Sequence, residues 1–488
     1  MSLERACYNV GVPAYWGTII PPLHHSLVGF GVMINQFEPL VRRGKNGSIE
    51  PLAAKAWEFS ADLKTIRFRI DSSRRFSDGS RLCAGDFKRS WENGLRMQPE
   101  SSNSSLSDAL SETVGFSKRP RAGGIKGIRT CGDEVLEIEF RKPVRGVLYH
   151  LSGVRYSAYK EIKGLYIGTG PYVITEKDKE LRLVPNKFYA GAAPGMKNAR
   201  IAVVPPGTAA GDFRAGRLDA MLFAERGGLS GCDGDRIRRV FGQEGSHAEV
   251  IVNGRPGRFF SDSRHRLALQ ALLWKYFKAN PARWPASFRG NGFRLDPQSF
   301  LAFQAGRLPA AAAEAIIAKG ERHVKRLIAC AARRPLTVCS AANSAWLFDI
   351  MARSGVRTDP RSQTSLTEKE MLEIYYKTHE ADLLPMTISV YDGDPDTMYH
   401  VLGRNGAIFS PMLERGKVAD MLEEGRKIFK PEAVAPYYRG VAKKILQEVP
   451  YVHLGYFRRS VAYNPERLRI NKGLAQRNEQ SLMLLSPK

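Results

Sequence analysis

Residues 65–96 read "TIRFRIDSSRRFSDGSRLCAGDFKRSWENGLR". Ile66, Phe68 and Ile70 alternate with Thr65, Arg67 and Arg69, the period of a strand with one buried and one wet face. Asp78-Gly79 then marks a tight turn. The segment 84–96 returns to helical spacing, and Asp86 near its start is placed where a carboxylate favours the free N–H groups of a first turn. Strand, turn and helix therefore follow one another within about thirty residues. The stretch "LEIEF" (136–140) repeats the strand pattern, with Leu136, Ile138 and Phe140 on the inner face.

The later chain is mostly helical. Apolar positions Val418, Met421, Leu422, Gly425, Ile428 and Phe429 predict a helix over 418–429. A second is expected over 436–450, with Pro436 in its first turn and Tyr438, Val441, Ala442, Ile445 and Leu446 inward. The Ala-rich run 305–320 is read as a third. Residues 99–126, rich in Ser, Gly and Arg, read as a surface excursion. Strands and helices are mixed throughout, so the fold class is α/β, in a chain of 488 residues that has room for two or three domains.

Composition bounds the function. Hydrophobic residues are 43% and charged residues 25%, an ordinary globular balance. No run of eighteen apolar residues is present, so no membrane-spanning helix is expected. The start, "MSLERACYNVGVPAYWG", lacks the apolar core of an export signal. The six cysteines include no Cys-x-x-Cys pair, which argues against a zinc ribbon or a thioredoxin-type site. The net charge is +25, and 251–334 holds sixteen Lys and Arg against four Asp and Glu. Such a field suits an acidic ligand or an anionic envelope surface, or is a solvated basic face. No nucleic-acid motif accompanies it, and no nucleic-acid partner is expected.

The order of motifs from residue 37 is similar to that of the family 5 extracellular solute-binding proteins, the oligopeptide-, dipeptide- and nickel-binding receptors of ABC importers. The resemblance rests on Glu38, Leu40 and Val41, on Pro51-Leu52-Ala53 and Trp57, on the strand at 65–70, and on Phe76, Asp78-Gly79 and Ala84-Gly85-Asp86. It continues through "GTGPY" (168–172), Asn186, Tyr189 and Gly191, "AGRLDAM" (215–221) and "DSRHRLAL" (262–269). The residues themselves read as scaffold: a turn, a core aromatic, a loop at a strand edge. "GTGPYV" is not a dinucleotide fingerprint, because Pro171 and the missing third glycine do not suit a phosphate-binding helix start.

The resemblance implies a two-lobed periplasmic-binding-protein-like fold (class II) with an extra inserted domain and a hinge-bending cleft. Lobe I would comprise 1–35, 163–250 and 457–488, the inserted domain 36–162, and lobe II 251–456. It implies a monomeric extracytoplasmic receptor, periplasmic or at the cell surface, with the export signal missing from this sequence. The receptor would hold a peptide or peptide-like solute and hand it to a membrane permease, with no cofactor and no catalysis. A ligand-sensing module of a transcription regulator is the alternative, and an enzyme on this scaffold the third reading.

Candidate ligand residues cluster at "YDGDPDTMY" (391–399). A calcium loop counted from Asp392 would need Gly and Glu where Thr397 and Gly403 stand. In the family, a Trp-x-x-Asp-x-x-Asp-Pro segment lies here, and its first Asp anchors a ligand amine. Alignment on Pro395 puts Asp394 at the second acid and Tyr391 at the anchor; a one-residue slip puts Asp392 there instead. Ile388 replaces the Trp, and Asp396 reads as a turn or helix-cap residue. In the N-terminal loop, Tyr15 and Trp16 are read as a cleft wall or as core packing. His24-His25 would need further ligands to hold a metal.

Overall fold

The alternation at 65–70 becomes a strand because its two faces meet different surroundings. Ile66, Phe68 and Ile70 are fully buried, while Arg67 and Arg69 face out. In this computed structural model Thr65–Ile70 pairs antiparallel with Ala54–Phe59 and with Val135–Glu139, and Ile128–Cys131 closes a four-stranded sheet. On the outer face Glu137 lies between Arg67 and Arg129, at 2.6 Å from each, and these guanidiniums hold its carboxyl below the usual range. The structure describes residues 7–23, 26–97, 106–121, 123–177, 179–229, 231–234, 236–285, 288–341, 346–389, 393–403, 416–475 and 481–488.

The inner face of that sheet is covered by the helix Ala84–Met97, whose Phe87, Trp91 and Leu95 join the same core as Ile66 and Phe68. Trp91 donates its indole N–H to the Tyr156 carbonyl at 2.8 Å. The preceding turn is the expected one: Gly79 has φ +88°, the left-handed conformation that favours glycine, and its N–H bonds the Phe76 carbonyl. Asp86 accepts the Cys83 backbone N–H at 2.8 Å, so the helix start is capped from within its own first turn.

The chain divides into two compact units, Met1–Gln243 with Arg459–Lys488, and Glu244–Arg458. Besides the four-stranded sheet, the first unit holds a mixed sheet. Tyr172–Lys177 and Glu180–Pro185 pair antiparallel, and Glu180–Pro185 pairs with Ala199–Val203. Ala199–Val203 runs parallel to Tyr8–Val12, which runs parallel to Ala220–Leu222. The returning chain at Val461–Tyr463 completes it, antiparallel to Ala220–Leu222. In the second unit, Ser246–Val252 pairs antiparallel with Leu383–Ser389, and Phe293–Leu295 with residues 455–457. The chain leaves the first unit within the strand Arg238–Val252 and returns within Tyr451–Tyr463.

Helix boundaries differ from the sequence reading. The helix expected over 418–429 is Lys417–Gly425. Gly425 packs so close to the Tyr438 ring that a Cβ there would stand 2.7 Å from the hydroxyl oxygen, and the chain turns away after it. The helix expected over 436–450 is Pro431–Glu448, with Pro431 rather than Pro436 in the first turn and Pro436 inside. The stripe simply continues upstream through buried Val434. The Ala-rich helix is Ala310–Ala318, because Pro309 takes the N-cap and Gly306, at φ +98°, lies against Tyr438. Within the expected excursion 99–126, the described part includes the short helix Ser107–Leu110. None of the six cysteines forms a disulfide.

Asp86→Ala removes the internal cap, together with the ion pair to Arg89, while leaving the apolar side chains Phe87, Trp91 and Leu95 in place. It should cost about 1 kcal/mol. Urea unfolding checks this as a lower midpoint with an unchanged slope.

Candidate functional site

The candidate loop begins where the strand Leu383–Ser389 ends. Val390, Tyr391 and Asp392, including both alternative amine anchors, lie outside the described residues. From Gly393 the chain turns through Asp394-Pro395-Asp396 into the helix Thr397–Leu402. Asp394 is half-buried, and its Oδ1 accepts the Asp396 backbone N–H at 2.8 Å, the closure of an Asx turn. Gln304 reaches the Asp394 carbonyl at 3.5 Å.

Asp396 occupies the N-cap position, but its side chain makes no cap bond. It is 3% exposed, and its Oδ2 lies 3.4 Å from the Arg426 guanidinium. Arg426 in turn covers the Tyr399 ring at 4.0 Å, and the Tyr399 hydroxyl donates to Glu423 at 2.9 Å. Burial pushes the Tyr399 phenol up, and the Glu423 hydrogen bond adds to it. The ion pair is better satisfied than a cap would be, because a buried carboxylate gains more from a cation than from one amide. Ile388, at the place of the family Trp, is buried in the core of this unit.

Tyr15 and Trp16 lie in the first unit and differ in burial. Trp16 is fully buried, packed with Tyr8, Val28 and Tyr172 in the core around the mixed sheet. Tyr15 is 52% exposed, packs tilted against Trp16 at 4.9 Å between ring centroids, and donates to Glu176 at 3.2 Å. Partial burial and then Glu176 raise its phenol pKa. His24 and His25 are outside the described residues.

The basic segment is extensively tied to its own unit. Arg264 grips Asp262 through Nε and Nη2 at 2.9–3.1 Å. Arg266 donates to the carbonyls of Glu448 at 2.8 Å and Phe260 at 2.6 Å, and burial lowers its pKa. Arg294 and Arg307 both pair with buried Asp296. Sequence reading passed over one cluster of titratable groups, His247, Glu249 and His453, all buried in the second unit. The local sign was the alternation of "HAEV" (247–250), which puts His247 and Glu249 on one face.

Known proteins resemble this chain in part of its sequence and in its fold. Residues 48–273 match the model of the bacterial extracellular solute-binding proteins, family 5 (middle region). The murein tripeptide binding protein MppA of Escherichia coli has a similar structure: TM-score 0.77 at 16% identity, covering 99% of this chain and 98% of that one. The fold is thus that of the periplasmic binding proteins. The dipeptide-binding protein DppE of Bacillus subtilis (strain 168) is 26% identical over 171 residues, 32% of this chain and 31% of the relative. The nickel-binding periplasmic protein of Escherichia coli (strain K12) is 26% identical over 220 residues, 43% of this chain and 41% of the relative. The chain therefore spans well under half the length of these curated relatives. Over residues 48–273 it resembles the family 5 solute-binding proteins, and along its whole length it has their fold.

Asp262 offers a check on the basic segment. It is the N-cap of the helix Ser263–Ala279, accepting the Arg264 N–H at 2.9 Å, and the Arg264 side chain brings its pKa from 3.8 to about 2. A depressed pKa stabilises the fold above the ordinary carboxylate value, and that share is lost as pH falls through about 2. Asp262→Ala should cost about 1 kcal/mol at neutral pH. The deficit, followed by urea unfolding, should shrink as the medium is acidified.

Proposed function

We propose that this chain is the extracytoplasmic receptor of an ABC importer. It captures a peptide or peptide-like solute without making or breaking a bond and delivers it to a membrane permease. The observation that carries this reading is the family 5 match over 48–273 together with a fold likeness that runs the length of the chain. The relatives named above are a dipeptide-binding, a nickel-binding and a murein tripeptide binding protein. No described helix is long and apolar enough to cross a membrane, which fits a receptor that works beside its permease. The protein acts as a monomer and not as an enzyme.

Ligand recognition centres on the 391–394 loop. Either Tyr391 or Asp392 is the residue that recognises the end of the solute, with Asp394 as the neighbouring acid. Tyr15 offers an exposed ring to the ligand, and Trp16 holds that ring from beneath. Asp392 as anchor means a free-amine ligand, because a desolvated ammonium needs a carboxylate. Tyr391 as anchor means a blocked or uncharged end.

Denaturing the purified protein and identifying the released molecules by mass spectrometry tests the proposal. A retained peptide with a free amine is expected if Asp392 is the anchor. Asp392→Asn should then weaken binding by about 1.5–3 kcal/mol, the worth of a charged hydrogen bond. Added peptide at a hundred times its dissociation constant should raise stability by about 2.7 kcal/mol. No retained solute and no shift with any peptide mixture would contradict the receptor reading.

A further inference from the structure

The strand Arg238–Val252 places His247 and Glu249 two residues apart on one face, and Tyr451–Tyr463 brings His453 beside them, 204 residues from Glu249 in sequence. Glu249 Oε1 lies 3.0 Å from His247 Nδ1 and 3.1 Å from His453 Nδ1. The three side chains are 1–2% exposed. One donor atom from each falls within 4.8 Å of the others. We infer that His247, Glu249 and His453 bind one divalent transition-metal ion, with Zn²⁺ the cation that the donor set suits.

Two imidazoles and one carboxylate are a zinc-type ligand set, with metal–nitrogen distances of about 2.0–2.1 Å. A tetrahedron of that size has donor atoms about 3.3 Å apart. The two nitrogen–oxygen separations already lie near that value, and the imidazoles, whose donor atoms lie within 4.8 Å, must approach each other to close the third edge. The set disfavours the hard and the very soft cations. Ca²⁺ and Mg²⁺ take oxygen ligands, and there is no thiolate to select Cu(I).

The surroundings hold the rings in place. Tyr456 packs edge-on against His247 and tilted against His453, with centroids 4.8 Å from each, while its hydroxyl donates to the Gln298 carbonyl. The imidazoles meet each other at 4.8 Å and 75°. Glu249 Oε2 and both Nε2 atoms are buried without a hydrogen-bond partner. A buried carboxylate partnered by two imidazoles is costly to ionise, and a divalent cation reverses that cost. A metal here would also clip together two strands that enclose most of the second unit, closing a loop of about two hundred residues.

The inference stands apart from the solute reading, since the loop at 391–394 is not part of it. The test uses full-length, tag-free protein, stripped with chelator and then titrated with ZnCl₂ alone. One Zn²⁺ per chain should survive gel filtration, the melting temperature should rise by several degrees, and X-ray absorption should show two imidazole nitrogens in the first shell. Glu249→Gln and His453→Gln should each weaken retention at least about tenfold. No retained Zn²⁺, retention undiminished in both variants, or a first shell without imidazole would overturn the assignment. If a variant fails to fold, the stoichiometry and absorption spectrum of the unmodified protein decide.

Discussion

One buried carboxylate gathers the ends of the first unit. Asp219 has no exposed surface; its Oδ2 accepts the Asn9 backbone N–H at 2.8 Å and its Oδ1 accepts Arg467 Nη1 at 2.7 Å. Its own amide bonds the Asn9 carbonyl, and its carbonyl accepts the Asn464 N–H. Three segments more than two hundred residues apart are thereby fixed at one point: the first strand, the strand Ala220–Leu222 and the returning tail. A unit made of both chain ends must hold them together against the entropy of a very long loop. An acid that is costly to bury, and satisfied only when all three arrive, does this selectively.

A second junction follows the same logic. Glu38 is buried and accepts from both Arg74 and Thr169, the latter at 3.0 Å. Gly168 and Gly170 flank Thr169 because the backbone of Gln36 passes where their Cβ atoms would be, 2.2 Å and 2.6 Å from its nearest atoms. Gln36 then bonds the Ile174 amide and the Tyr166 carbonyl, and Asn186 closes on the Gly170 carbonyl. The motifs scattered along the sequence are thus contact points of one another. They carry architecture.

This explains what the sequence disclosed. The strands at 65–70 and 136–140 were legible because each has one apolar face, and Asp78-Gly79 because glycine suits its backbone. Helix ends were less so. Pro431 and Pro436 are equivalent as letters, and only Val434 packing inward separates the two starts. Gly425 and Gly306 end or delay helices through contact with Tyr438, a residue distant from at least one of them in sequence. The boundaries between units fall inside long strands, where nothing in the alternation marks them. Trp16 was legible as an important aromatic, but neighbouring Tyr15 shares its chemistry, and only burial assigns one to the core and the other to the surface. The His247–Glu249–His453 cluster depends on strand pairing that no local pattern records.

The first unit depends on Asp219 binding its first strand and its returning tail at once. A double-mutant cycle on Asp219→Asn and Arg467→Ala, read by urea unfolding, tests this most directly. Coupling of at least about 1 kcal/mol is predicted for a charged hydrogen bond with one fully buried partner. Strictly additive losses would show that the tail is held by packing alone and would contradict the account.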